Sequence, residues 1–149
     1  MEVFDVTRGI WRQFDIGDQG IGHRTKSHVL PISEDSLAVI GGKDEYGVPI
    51  DEIGEFNVKH MKCIPTDWRL PKGLSGFASC LLKKGSVAIC GGNDGQKTVS
   101  GFFILTFKKD GLAPQVTNLP PLISPREDFS LVLGPDRKLY ALGGFNTSE

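Results

Sequence analysis

The chain has 149 residues, 39% of them hydrophobic and 23% charged, which suits one compact domain with an ordinary core. A formal charge of −1 leaves no electrostatic footprint for nucleic acid, and no run approaches the roughly 18 apolar residues of a membrane helix. With 19 Gly and 9 Pro the composition fits a turn-rich β protein, and a start carrying Glu2 and Asp5 without an apolar core is not a signal peptide; a cytoplasmic protein is expected.

In chain order, residues 1–18 read as two strands, the first Glu2-Val3-Phe4-Asp5 and the second around Trp11. Next come two short apolar runs, 27–32 and Leu37-Ala38-Val39-Ile40, joined by the polar turn 33–36 and ended by Gly41-Gly42. A polar loop, 43–52, leads to a third run at 53–58 and a weaker fourth at 61–68. The same grammar then repeats. Runs at 77–82 and 87–90 end in Gly91-Gly92, the loop 93–100 follows, and further runs lie at 102–107 and 113–119. A last pair, 129–133 and Leu139-Tyr140-Ala141-Leu142, ends in Gly143-Gly144.

The glycine pairs are 50 and 52 residues apart, and each closes a hairpin of two apolar strands. Antiparallel pairing is expected over 27–40, 77–90 and 129–142, with Val39, Ile40, Ala88, Ile89, Ala141 and Leu142 buried. Four strands in a period near 50 describe a propeller blade, and glycine allows the positive φ and close backbone approach needed where the chain leaves the second strand.

At this point the chain resembles the kelch repeat family. The matching residues are the three apolar-Gly-Gly units, the segment from Glu2 to Asp5 followed by Trp11, and Pro125-Arg126-Glu127-Asp128-Phe129. Glu55-Phe56-Asn57 keeps part of the family's third-strand signature, Trp68 sits late, and the second repeat has no Trp. The resemblance covers nearly all of 1–149 and implies an all-β, kelch-type β-propeller segment of four-stranded antiparallel blades forming an incomplete ring. Within it, 1–18 supplies third and fourth strands of a split blade, 27–70 and 76–119 are full blades, and 129–144 supplies first and second strands of a further blade. Closed propellers have roughly four to eight blades, so three blade equivalents leave the ring open. A partner covering the open faces, a longer parent protein, or a homodimer completing a six-bladed ring would each close it.

No chemistry-bearing constellation emerges. His23, His28 and His60 have no metal-ligand spacing, and with Tyr46 and Tyr140 they do not converge as the copper ligands of a galactose oxidase-type enzyme would. No Ser sits on a nucleophile elbow. Cys63, Cys80 and Cys90 are odd in number and lack CxxC spacing. They read as small buried hydrophobes, with Cys80 and Cys90 on adjacent strands of one hairpin. Lys83-Lys84 and Lys108-Lys109 read as solvated turn residues. Neither a catalytic residue nor a metal or other cofactor is expected.

The expected function is protein–protein interaction, with a protein partner held on the loops that leave the blades at one end: 20–26, 43–52, 71–75, 93–100, 124–128 and 145–149. Candidate contact residues there are Arg24, Asp44, Glu45, Tyr46, Asn93, Asp94, Arg126 and Asn146. An Arg at a loop base can fork onto a carboxylate, and Tyr offers flat contact area at low entropy cost. The competing structural role is that Asp44, Asn93 and Asp94 merely close Asx turns, and that Arg126 braces a blade. The resemblance implies an adaptor or scaffold; a propeller enzyme and a half-ring that self-assembles are the alternatives.

Overall fold

A computed structural model describes residues 1–17, 21 and 23–147; the portions of the 1–18 strand pair and of the 20–26 and 145–149 loops that fall on the other positions lie outside the described residues. The strands are β1 (Glu2–Asp5), β2 (Ile10–Gln13), β3 (His28–Pro31), β4 (Ser36–Ile40), β5 (Ile53–Asn57), β6 (Lys62–Ile64), β7 (Ala78–Lys83), β8 (Ser86–Cys90), β9 (Phe102–Thr106), β10 (Gln115–Leu119), β11 (Glu127–Leu133) and β12 (Leu139–Phe145). No helix occurs among the described residues. Each strand pairs with its neighbour in sequence, giving two four-stranded antiparallel meanders, β3–β6 and β7–β10, and two hairpins, β1–β2 and β11–β12.

The registers of the three central hairpins superimpose. Ile40 faces His28, Cys90 faces Ala78, and Leu142 faces Ser130, each immediately before a glycine pair. Third strands add in matching register, with Ile53 opposite Ile40 and Phe102 opposite Cys90. Consecutive sheets lie with their first strands side by side, β3 against β7 and β7 against β11. His28 reaches across that seam, its Nδ1 2.5 Å from Ser79 Oγ and its ring 4.8 Å from that of Phe77; burial lowers its pKa.

Every glycine of the three pairs has positive φ. Their surroundings are as regular as their conformation. An added Cβ on Gly42, Gly92 or Gly144 would strike the carbonyl that enters the same sheet's first strand, Thr25, Ser75 or Glu127, at 2.6–2.8 Å. On Gly41 it would strike Leu74 O at 2.7 Å and on Gly91 Arg126 O at 2.5 Å, both from the following sheet. The glycine pair is thus where one sheet is packed both onto its own first strand and onto its successor. Gly42 and Gly92 also donate their N–H to those same carbonyls of Leu74 and Arg126.

One apolar core joins the two complete sheets. Ile40 and Ile53 from the first meet Phe77, Val87, Ile89 and Leu105 from the second, and each such side chain taken from water stabilises by about 1.5–3 kcal/mol. Trp68 caps it, its ring 5.5 Å from that of Phe107. Second strands carry the burial: β8 is buried along its whole length, whereas β3 is half-exposed with Val29 open. First strands are therefore less covered than their apolar sequences suggest, because one face turns away from the intersheet core. Val39, Ile40, Ala88 and Ile89 are buried as expected. Ala141 is only half-buried and Leu142 is 62% exposed, contrary to expectation, because β12 has β11 on one edge and no strand on the other among the described residues.

The glycine environments separate two substitutions. Gly91→Ala must displace backbone and is expected to cost about 3 kcal/mol or more, while Gly143→Ala, whose Cβ would meet nothing within 4 Å, carries only the φ strain of about 1 kcal/mol. Urea unfolding of both variants checks the difference.

Candidate functional site

The loops after the glycine pairs are built, not slack. Asp44 Oδ1 accepts the N–H groups of Tyr46 and Val48 at 2.9 and 2.8 Å. Asn93 Oδ1 accepts from Gly95 N, and Asp94 Oδ1 from Gln96 and Lys97 N. These are Asx turns, and they fix the loop backbones without using the exposed tips. Isolated bridges tie Lys43 to Thr25 and Pro49, and Asn93 to Ser75 and Thr98. Neighbouring loops also touch. Leu74 N donates to Ile50 O, Lys72 Nζ pairs with Asp94 Oδ2 at 2.9 Å, and the Cβ position of Gly95 lies 3.3 Å from Pro49. The result is a continuous face across both complete sheets.

Arg24, Asp44 and Glu45 come together around a recess of about 350 Å³ that also includes His23, Ile50 and Glu52. Arg24 does not point outward: its guanidinium donates to Gly41 O, to Glu52 O, and to Glu52 Oε2 at 3.2 Å. Burial lowers its pKa and the Glu52 carboxylate counters this. Arg126 occupies the equivalent position two sheets along and donates to Gly143 O at 3.1 Å, with its guanidinium carbon 6.0 Å from the Phe129 ring centroid. Both arginines therefore brace the carbonyl of a glycine pair, and their structural role accounts for their presence. Tyr46 is the most open of the candidates, 83% exposed at the tip of its turn, with Val48 beside it. Glu45 is exposed, whereas Asp44, Asn93, Asp94, Arg126 and Asn146 are half-buried.

Two groups outside the expected contact residues organise this face. Glu127 is buried, and its Oε1 accepts from Thr98 Oγ1 at 2.8 Å, Asn93 Nδ2 at 3.0 Å and Thr147 Oγ1 at 3.1 Å. Burial alone would raise its pKa; the three hydrogen bonds outweigh it and hold the carboxyl below its ordinary value. Lys26 Nζ lies 2.6 Å from Asp128 Oδ2, linking first-strand entries 102 positions apart. At the opposite end, strand-connecting turns of the two complete sheets border a half-open pocket of about 570 Å³ with Trp68 and Phe107 in its lining beside Lys84, Lys108 and Lys109. The lysine pairs next to outer-strand aromatics were the available signal for it; as turn residues they read as mere solvation.

The three cysteines are free thiols. Cys80 faces Ala88 and Cys90 faces Ala78, so they are not cross-strand partners, and burial pushes the Cys90 thiol up to about 11. Among the described residues no group of three or more His, Cys, Asp or Glu is arranged to hold a metal. No helix of the structure is long and apolar enough to cross a membrane. Compared with known proteins, the chain matches no family model and no curated sequence.

Two measurements test the wiring of the face. The Asp94 carboxyl is held at about 2, chiefly by Lys72 and further by the Lys97 and Gln96 N–H groups, against burial. A depressed carboxylate contributes stability that is complete above its unfolded value, about 4, and lost as pH falls toward about 2. Lys72→Ala is expected to flatten that part of the stability profile in denaturant titrations. Glu127→Ala removes the acceptor shared by buried Thr98, half-buried Asn93 and exposed Thr147 and is expected to cost about 2 kcal/mol, read by thermal and urea unfolding.

Proposed function

We propose that this chain is a kelch-type β-propeller segment whose loop face recruits a protein partner, in an adaptor or scaffold role in the cytoplasm. Supporting the propeller reading, each complete sheet is a four-stranded meander, first strands stand side by side, and a positive-φ glycine pair follows the second strand of each complete sheet. Radial repetition of four-stranded sheets is the building plan of propellers.

The observation that carries the binding reading is the 43–48 loop. Asp44 locks its backbone from within, while Tyr46 and Val48 stand out into solvent. A rigid aromatic on a fixed scaffold loses little entropy when covered and is the usual kind of interface anchor. Arg24 and Arg126 serve by holding the loops' bases, so the partner's contacts fall on Tyr46, Val48 and Glu45, with Asp94 and Asn93 at the neighbouring loop.

Tyr46→Ala combined with Val48→Ala is expected to leave the unfolding midpoint within about 0.5 kcal/mol of the parent and to weaken partner capture about tenfold or more. Quantitative affinity capture with the parent, this variant, and Lys108→Ala/Lys109→Ala at the opposite end decides it. Equal loss in both variants, or none in the first, would sink the loop-face reading.

A further inference from the structure

The two hairpins are complementary halves of one sheet. By register, the turn-end pair Asp5–Ile10 of β1–β2 corresponds to Asn57–Lys62 of β5–β6; Asp5 and Asn57 even close their turns alike, each accepting an N–H three residues on. Phe4 is therefore the counterpart of Phe56 and Leu105. Those two are buried, at 3% and 0% exposure, but Phe4 is 42% exposed. On the other hairpin, Tyr140 and Leu142 are the counterparts of Ala38 and Ile40, both buried, yet they are 43% and 62% exposed. What is buried in the complete sheets is thus bare on the outer edge of β12 and on β1.

Two further features fail at the same place. Gly41 and Gly91 are packed under a carbonyl of the following sheet, while the Cβ position of Gly143 meets nothing within 4 Å. Arg24 reaches the chain entering its sheet's third strand through Glu52; Arg126, in the equivalent position, has no third strand to reach, and its Nε is buried with no hydrogen-bond partner among the described residues.

We infer that the outer edge of β12 takes β1 of a second copy of this chain, completing a four-stranded sheet β11–β12–β1–β2 across the two copies, reciprocally at both ends. Transferring the β4–β5 register puts Leu142 opposite Met1, Ala141 opposite Glu2, Tyr140 opposite Val3, Leu139 opposite Phe4, and Lys138 opposite Asp5. Three of the five pairs join apolar residues, the small Ala141 faces Glu2, and the one pair of two charged residues is of opposite sign, which favours cross-strand stabilisation. The β3–β6 sheet of the second copy then follows the composite sheet and covers Gly143, as Leu74 and Arg126 cover Gly41 and Gly91. The inference rests on reading the sheets as blades, but not on the loop face, since Tyr46 lies on neither edge.

The test uses like charges at the exposed, opposed positions. Val3→Lys/Tyr140→Lys and Val3→Glu/Tyr140→Glu each place two like charges across both junctions, which weakens pairing about tenfold or more. Mixed together, they present only opposite charges. Sedimentation at micromolar concentration is expected to show a dimer for the parent, monomers for each variant alone, and a dimer for the equimolar mixture. Hydrogen exchange of the parent gives a second reading: protection of the β12 amides is expected to rise with protein concentration. A parent that stays monomeric, variants that dimerise alone, a mixture that does not reassemble, or concentration-independent protection of β12 would each overturn the inference. Tyr46→Ala is expected to leave the dimer intact, so a failed binding site and a failed junction give different results.

Discussion

The organisation depends on a backbone constraint at the ends of β4 and β8. There the chain must turn with positive φ, pass under the carbonyl that enters the first strand, and accept the next sheet's carbonyl from the other side. Two consecutive residues without side chains meet all three demands. Because Gly42 and Gly92 also donate to that next carbonyl, the same residues that allow the approach hold it at bonding distance. Sheet-to-sheet geometry and loop direction both follow from this step.

Around it the molecule divides its labour. Between the sheets, aliphatic and aromatic side chains such as Ile53, Phe77 and Leu105 supply cohesion without direction. At the loop end, polar side chains supply direction. Glu127 gathers three donors from separate segments, and Arg24 binds the glycine pair to the start of β5. Buried polar groups of this kind are costly when half-satisfied and specific when complete. Satisfaction of the Asx turns from within leaves side chains such as Tyr46 with no structural duty.

Strand positions were legible in the sequence because the apolar runs, polar turns and glycine pairs recur in step, and a recurring local string needs no knowledge of neighbours. Burial at the last hairpin was not legible. Leu139-Tyr140-Ala141-Leu142 looks like Leu37-Ala38-Val39-Ile40 as a string, but burial depends on whether a third strand lies alongside. The candidate residues divided for a similar reason. The exposure of Tyr46 was legible because a turn tip is a local property, while the inward aim of Arg24 and Arg126 depends on carbonyls 17 positions away. Glu127 was passed over because its partners Asn93, Thr98 and Thr147 are brought together only by the packing of the last hairpin against the preceding sheet.

Lys26, Gly76 and Asp128 occupy equivalent places, each two residues before the facing position of its hairpin, and all three have left-handed φ. The outer two form an ion pair, and the Asp128 carboxylate fills the space where a side chain at position 76 would begin, 2.7 Å from its Cβ site. The repeats are therefore alike in backbone but not interchangeable in order. A rearranged chain that moved the middle repeat to either flank would set Lys26 beside Asp128 with no bare position between them, or place a side chain where the bridge now passes. The Lys26–Asp128 pair astride Gly76 thus marks one order of units among backbones that are otherwise alike, a fixed word rather than a string of identical letters.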